Sequence, residues 1–263
     1  MTERDDVVTP AGPGGILARK DGATIAYNRL PGKNPGIVFL HGFQSDMSGG
    51  KALAVEEFCR KRGQAFLRFD VTGHGQSSGA FTDGGIGQWA ADVVSVLDAL
   101  TEGPQILVGS SMGGWLMLLA ALERRDRVAG LLGLAAAPDF TEDLMFETMT
   151  PEQKRALLVD GKVELEDCDS PRPYIVTRHL IEDGRQNLLL HGPINLTCPV
   201  RLIHGQKDPD VPWNTALRLQ EHLLSDDVEV TLVKSAGHRL SEPEDLARML
   251  RVLEGLLERV GGF

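Results

Sequence analysis

Cysteine is scarce: Cys59, Cys168 and Cys198 are the three thiols in 263 residues. They are too few and too scattered for a disulfide framework, and no C-x-x-C pair suits a structural zinc site. Free thiols in a reducing cytosol are the expectation. Long apolar runs are missing as well. None reaches the ~18 residues a membrane-spanning helix needs, so no membrane insertion is expected. The opening Met-Thr-Glu-Arg-Asp-Asp lacks the basic start and apolar stretch of a secretion signal. Its acids also argue against an organellar transit peptide, so a cytoplasmic location is expected. Basic residues are in deficit, with 27 Lys+Arg against 37 Asp+Glu and a formal net charge of −10. An acidic surface repels phosphate backbones, which argues against nucleic acid as a partner and reads most simply as solubility. No glycine run fits a nucleotide loop, since Gly12-Pro13-Gly14 lacks the third glycine and the following helix. No cluster of His, Cys and carboxylates has metal-ligand spacing. No cofactor and no metal are therefore expected.

What is present is the raw material of one α/β domain with a modest insertion. Hydrophobic residues make up 42% and charged residues 24%, ordinary for a globular chain. Asp21-Gly22 is a hairpin turn pair between short strands at 16–19 and 24–28. Strands then alternate with helices: strand 36–40, helix 50–62, strand 65–69, helix 86–100, strand 105–108, helix 115–123, strand 128–134. The rhythm breaks after Pro138. Residues 139–191 mix Pro151, Pro171 and Pro173 with apolar side chains, and they read as a small, mostly helical cap. It interrupts a core of 1–138 and 192–263, where strand 200–204, helix 215–224, strand 228–233 and helix 242–259 complete the pattern. Such alternation implies a mostly parallel central sheet flanked by helices.

Gly109-Ser110-Ser111-Met112-Gly113 fits G-x-S-x-G with Ser111 at its centre; Ser110 fails, because Val108 stands where its first glycine belongs. The pattern alone is weak. Its setting between an apolar strand and a helix is that of a nucleophile elbow, a tight turn that lifts the serine hydroxyl above the sheet at a helix N-terminus. A serine needs a base, and the base needs an anion to fix its tautomer. In α/β-hydrolase folds the chain order is Ser, Asp or Glu, His. The loop after strand 200–204 offers Asp208, and the loop after strand 228–233 offers His238. Loops at the carboxyl ends of parallel strands converge on one rim. Asp210 and Asp139 are rival acids, and the offset from the strand end favours Asp208. His41 and His204 precede tight glycine turns and read as structural; His74, His179, His191 and His222 lie in loops, the cap or a helix.

The oxyanion of a tetrahedral intermediate needs preorganised donors. The backbone N–H of Met112, just after the nucleophile, is one candidate. The Phe43 N–H, in the loop His41-Gly42-Phe43-Gln44, is the second. Phe140, Phe146 and Met149 are candidates to line an acyl pocket, or they bury the cap against the core.

With these pieces in place the sequence resembles the α/β-hydrolase superfamily across nearly its whole length. The resemblance is carried by His41-Gly42-Phe43, Asp70-Val71-Thr72-Gly73-His74-Gly75-Gln76-Ser77, Gly109-Ser110-Ser111-Met112-Gly113-Gly114, His204-Gly205-Gln206-Lys207-Asp208 with Val211-Pro212, and Gly237-His238. More narrowly, 51–59, 106–118 and Pro212-Trp213 resemble the mitochondrial palmitoyl-protein thioesterase family, which also cleaves acyl glucuronides. That resemblance implies an esterase or thioesterase acting on a small acyl ester or thioester, with Ser111, Asp208 and His238 as its triad. The acidic N-terminus departs from a mitochondrial precursor, so a bacterial carboxylesterase is the expectation. Other chemistry on the same triad (perhydrolase, carbon–carbon hydrolase or lyase) and a low-turnover ligand receptor are the alternatives.

Overall fold

The computed structural model describes residues 14–167 and 170–261. Eight strands form one sheet in the order β1-β2-β4-β3-β5-β6-β9-β10. Strands β1 (Gly14–Ala18) and β2 (Thr24–Leu30) are the hairpin expected around Asp21-Gly22, and β2 is also antiparallel to β4 (Gln64–Phe69). From β4 onward every neighbour is parallel: β3 (Lys33–Leu40), β5 (Gln105–Ser110), β6 (Val128–Leu134), β9 (Val200–Gly205) and β10 (Val228–Val233).

The central strands are apolar on both faces because helices cover both. On one face, Val38, Leu40, Leu107 and Leu131 pack with α2 (Ile86–Leu100) and α3 (Met112–Glu123), where Trp89 and Trp115 are fully buried. On the other, Ile37, Phe39, Ile106 and Leu132 pack with α1 (Gly50–Arg62) and α7 (Pro243–Gly261), through Val55, Leu253 and Leu256. Successive residues of one strand thus feed opposite cores. Each such side chain contributes about 1.5–3 kcal/mol relative to leaving it in water.

Between β6 and β9 the chain leaves the sheet. It forms a π-helical turn at Thr141–Phe146, then α4 (Pro151–Asp160), a two-stranded antiparallel ribbon of β7 (Lys162–Asp167) and β8 (Ser170–Thr177), and α5 (Arg178–Arg185). A capping box starts α4: Thr150 accepts from the Gln153 N–H, the Gln153 side chain accepts from the Thr150 N–H, and Pro151 fills the first helical position. The ribbon was not expected. Lys162-Val163-Glu164-Leu165 does alternate polar and apolar, the period of a strand. Pro171 and Pro173 would break a central strand, yet in a two-stranded ribbon both strands are edges and tolerate proline. The segment α6 (Asn214–His222) follows β9, and α7 closes the chain. Among the described residues no helix is long and apolar enough to cross a membrane.

Candidate active site

Ser111 sits between β5 and α3 with φ 53° and ψ −118°, a positive φ that a non-glycine residue adopts at a cost. Its surroundings enforce the turn. The Ser111 N–H donates to the Leu134 carbonyl at 2.9 Å, and the Ala137 N–H donates to the Ser111 carbonyl at 3.1 Å, so the end of β6 grips the elbow from both sides. The two glycines of the motif are spacers for close approach. A Cβ on Gly109 would lie 2.3 Å from the Gly113 carbonyl oxygen, and a Cβ on Gly113 would lie 2.3 Å from that of Leu40. Strand, elbow and the loop after β3 are therefore in van der Waals contact.

The other two predicted residues arrive on neighbouring loops. The turn after β9 and the turn after β10 are joined by backbone bonds, Gln206 N–H to the Val233 carbonyl at 2.9 Å and Lys207 N–H to the Ala236 carbonyl at 2.9 Å. The result is one line of hydrogen bonds. Ser111 Oγ lies 3.0 Å from His238 Nε2, and His238 Nδ1 donates to Asp208 Oδ2 at 2.8 Å. The Asp208 side chain has no solvent exposure and His238 keeps 20%. The second carboxylate oxygen, Oδ1, accepts from the Asp210 and Val211 N–H groups at 2.9 and 2.8 Å. Burial alone would raise the Asp208 carboxyl; the donors of His204 and His238 outweigh it and hold the group well below the usual carboxylate range. Asp208 is thus an anion fixed on both oxygens, and it orients His238 with its Nε2 lone pair toward Ser111.

His204, read as structural from the sequence, also reaches this carboxylate, with Nε2 3.1 Å from Asp208 Oδ2. The signal was local, since His204 and Asp208 are four apart across the Gly205 turn. The rival acids are engaged elsewhere or otherwise. Asp139 is fully buried, at φ 61°, and accepts the Leu189 and Leu190 N–H groups at 2.8 Å each, closing the base of the insertion. Asp210 offers its backbone N–H to Asp208. Among the described residues, Asp208, Asp210 and His238 are also a cluster tight enough to hold a metal ion. The Asp208–His238 hydrogen bond and the Asp210 N–H donated to Asp208 Oδ1 bring these three residues together. The rings of His41 and His74 lie 5.0 Å apart, tilted at 49°; burial lowers both, His74 to about 4.

Ser111 and His238 open into a cavity of about 960 Å³. The insertion contributes an apolar wall of Phe140, Leu144, Met145, Met149 and Leu165. The loop after β3 and the start of α1 contribute a polar wall that includes Gln44, Asp46 and Lys51. Of the three side chains proposed for an acyl pocket, Phe140 and Met149 line this cavity and Phe146 does not. The Phe146 ring faces away, under Arg185 at 4.2 Å and Lys154 at 4.8 Å, where two cations cover its π-face. Phe43 lines the cavity and makes edge contacts with Phe81, Phe140 and Tyr174 at 4.9, 5.5 and 5.9 Å. Its N–H and that of Met112 have no hydrogen-bond acceptor among the described residues.

A mostly parallel sheet with a serine on a strained elbow and a histidine and aspartate on later loops defines the α/β-hydrolase class. The chain belongs to the alpha/beta hydrolase family, whose model matches residues 37–249, and it is a hydrolase of that family. It is 42% identical over 246 residues to palmitoyl-protein thioesterase ABHD10, mitochondrial, of Rattus norvegicus, covering 93% of this chain and 82% of the rat protein. The solved structure of alpha/beta hydrolase domain-containing protein 10 from mouse superposes with a TM-score of 0.88 at 40% identity, covering 94% of this chain and 99% of that one. A putative hydrolase from Agrobacterium vitis S4 superposes with a TM-score of 0.89 at 39% identity, covering 94% and 98%.

Proposed function

We propose that this chain is a serine esterase or thioesterase that works through an acyl-enzyme on Ser111. The observation that carries the reading is the unbroken line Ser111 Oγ–His238 Nε2 and His238 Nδ1–Asp208 Oδ2, at 3.0 and 2.8 Å, opening onto a cavity with one apolar wall. His238 takes the Ser111 proton as the oxygen attacks the acyl carbon, and the proton then passes to the leaving alcohol or thiol. Water, deprotonated by the same imidazole, releases the acid and restores Ser111. Asp208 stays ionised throughout. The Phe43 and Met112 N–H groups, which have no acceptor among the described residues, are assigned to the oxyanion.

Residues 139–191 act as the cap, and its Phe140 and Met149 receive the acyl chain, while the polar wall faces the leaving group. The rat relative is named for removing palmitoyl groups from proteins, which supports an acyl thioester or ester as the small-molecule substrate class. The described thiols fit a reducing compartment such as the cytoplasm: Cys59 and Cys198 are free, and burial pushes them up to about 12 and about 11. The test is a fluorophosphonate probe, mapped by mass spectrometry, with Ser111→Ala as control. Labelling confined to Ser111, together with turnover of p-nitrophenyl acyl esters or acyl thioesters, is expected. A folded protein that takes no label and cleaves neither substrate class refutes the reading and moves the weight to a ligand receptor.

A further inference from the structure

His204 stands at the carboxyl end of β9, its side chain 1% exposed, and its ring is aimed at the acid of the triad. Nε2 lies 3.1 Å from Asp208 Oδ2 and 3.0 Å from the Val211 carbonyl oxygen. Both neighbours are acceptors, so the ring proton must sit on Nε2 and be shared between them. The opposite nitrogen, Nδ1, is buried with no partner among the described residues. A buried polar atom left unmatched costs free energy, and the fold tolerates it here while placing a donor on Asp208.

That donor lands on the same oxygen that accepts from His238. We propose that His204 is a positioning residue for the acid: it holds the turn 205–211 and, by sharing Asp208 Oδ2 with His238, disperses the carboxylate charge that faces the His238 ring. The inference rests on the triad reading above. Among the described residues, the carboxylates beside His238 are Asp208 and Asp210 on the turn after β9, and the cavity that His238 faces is also lined by Asp46 of the loop after β3, Lys51 of α1 and Arg239, whose carbonyl accepts from Lys51. Of these, Asp208 alone is shared with His204. Removing the His204 donor leaves the carboxylate charge less dispersed. It then holds a proton on His238 more tightly, and the acid limb of the rate profile moves to higher pH.

The experiment is the pH dependence of kcat/KM on p-nitrophenyl butyrate for the parent, His204→Phe and His204→Gln, with Ser111→Ala as blank. His204→Phe is expected to move the acid limb up by about one pH unit, a loss of about tenfold at pH 6, with KM little changed. His204→Gln carries an amide N–H near the position of Nε2 and is expected to return the limb to its parental place. Should His204→Phe not fold, His204→Asn, whose shorter amide stops short of Asp208, replaces it with the same expectation. A folded variant with lower Tm but an unmoved or lowered acid limb assigns His204 to packing alone and overturns the proposal. Parental turnover that survives Ser111→Ala instead refutes the triad reading, and this inference with it.

Discussion

Replacing Asp208 by Asn removes one charge and one acceptor from a site built for four donors. Oδ1 accepts from the Asp210 and Val211 N–H groups, and Oδ2 accepts from His238 and His204. An amide has one acceptor oxygen, so its NH₂ must face two donors whichever way it is turned. With the oxygen kept on the backbone N–H pair, the NH₂ points at His238 and drives the imidazole proton to Nε2. The lone pair that should receive the Ser111 proton is then gone. With the amide reversed, two backbone N–H groups meet another donor and the turn opens. Wrong-tautomer substitutions of this kind cost about 10⁴-fold in kcat, or about 5 kcal/mol of transition-state stabilisation. The buried mismatch destabilises the fold by a further ~1–3 kcal/mol. The assay is kcat on p-nitrophenyl butyrate, with thermal unfolding on the same samples. Asp139→Asn is the control: Asp139 serves Leu189 and Leu190, so its loss is expected to lower Tm while kcat stays within about tenfold. A folded Asp208→Asn variant that keeps kcat within about tenfold of the parent would refute the assignment of Asp208 as the acid.

Three further outcomes are expected. Gly113→Ala sets a Cβ 2.3 Å from the Leu40 oxygen and 2.6 Å from that of His41. It should cost about 3 kcal/mol in urea denaturation and lower the rate by shifting the elbow against the loop after β3. Burial pushes His74 down to about 4 from an ordinary 6.5, so between those values the unfolded chain takes a proton that the folded chain refuses. Stability is therefore fully present above that window and falls by up to about 3 kcal/mol as the pH drops through it. Denaturant midpoints at pH 7.5 and pH 4.5 should show a smaller acid loss for His74→Asn; equal losses would assign the slope to other groups. Met149→Trp fills part of the insertion's apolar wall, so turnover of long-chain p-nitrophenyl esters should fall at least tenfold relative to acetate. A uniform loss across chain lengths would place the acyl group against the other wall.

Much of this protein was legible locally. A strand followed by Gly-x-Ser-x-Gly and a helix can turn only one way at that separation. The clash distances at Gly109 and Gly113 show why the motif requires glycine: backbone oxygens occupy the space a Cβ needs. The alternation of strand and helix, the Asp21-Gly22 hairpin and the order of Ser111, Asp208 and His238 are likewise set by short-range periodicity and turn chemistry. Membership of the α/β-hydrolase family follows from those features together.

Tertiary structure decided what short-range rules cannot. Asp208 and Asp139 are both aspartates on loops after parallel strands. They part company because β9 and β10 are adjacent and their turns zip together, which puts Asp208 against His238, whereas Asp139 is taken by the N–H groups of a segment 50 residues on. Phe146 and Phe140 are equally apolar in the sequence, and only the packing of the π-helical turn sends one to two cations and the other to the cavity. The ribbon of β7 and β8 was hidden because its prolines forbid a central strand but not an edge. His204 was set aside as structural; that its donor reaches Asp208 depends on the path of the turn between them. In each case sequence periodicity reports which face of an element is buried, while the partner on that face is chosen by the three-dimensional order of the strands and the loops that join them.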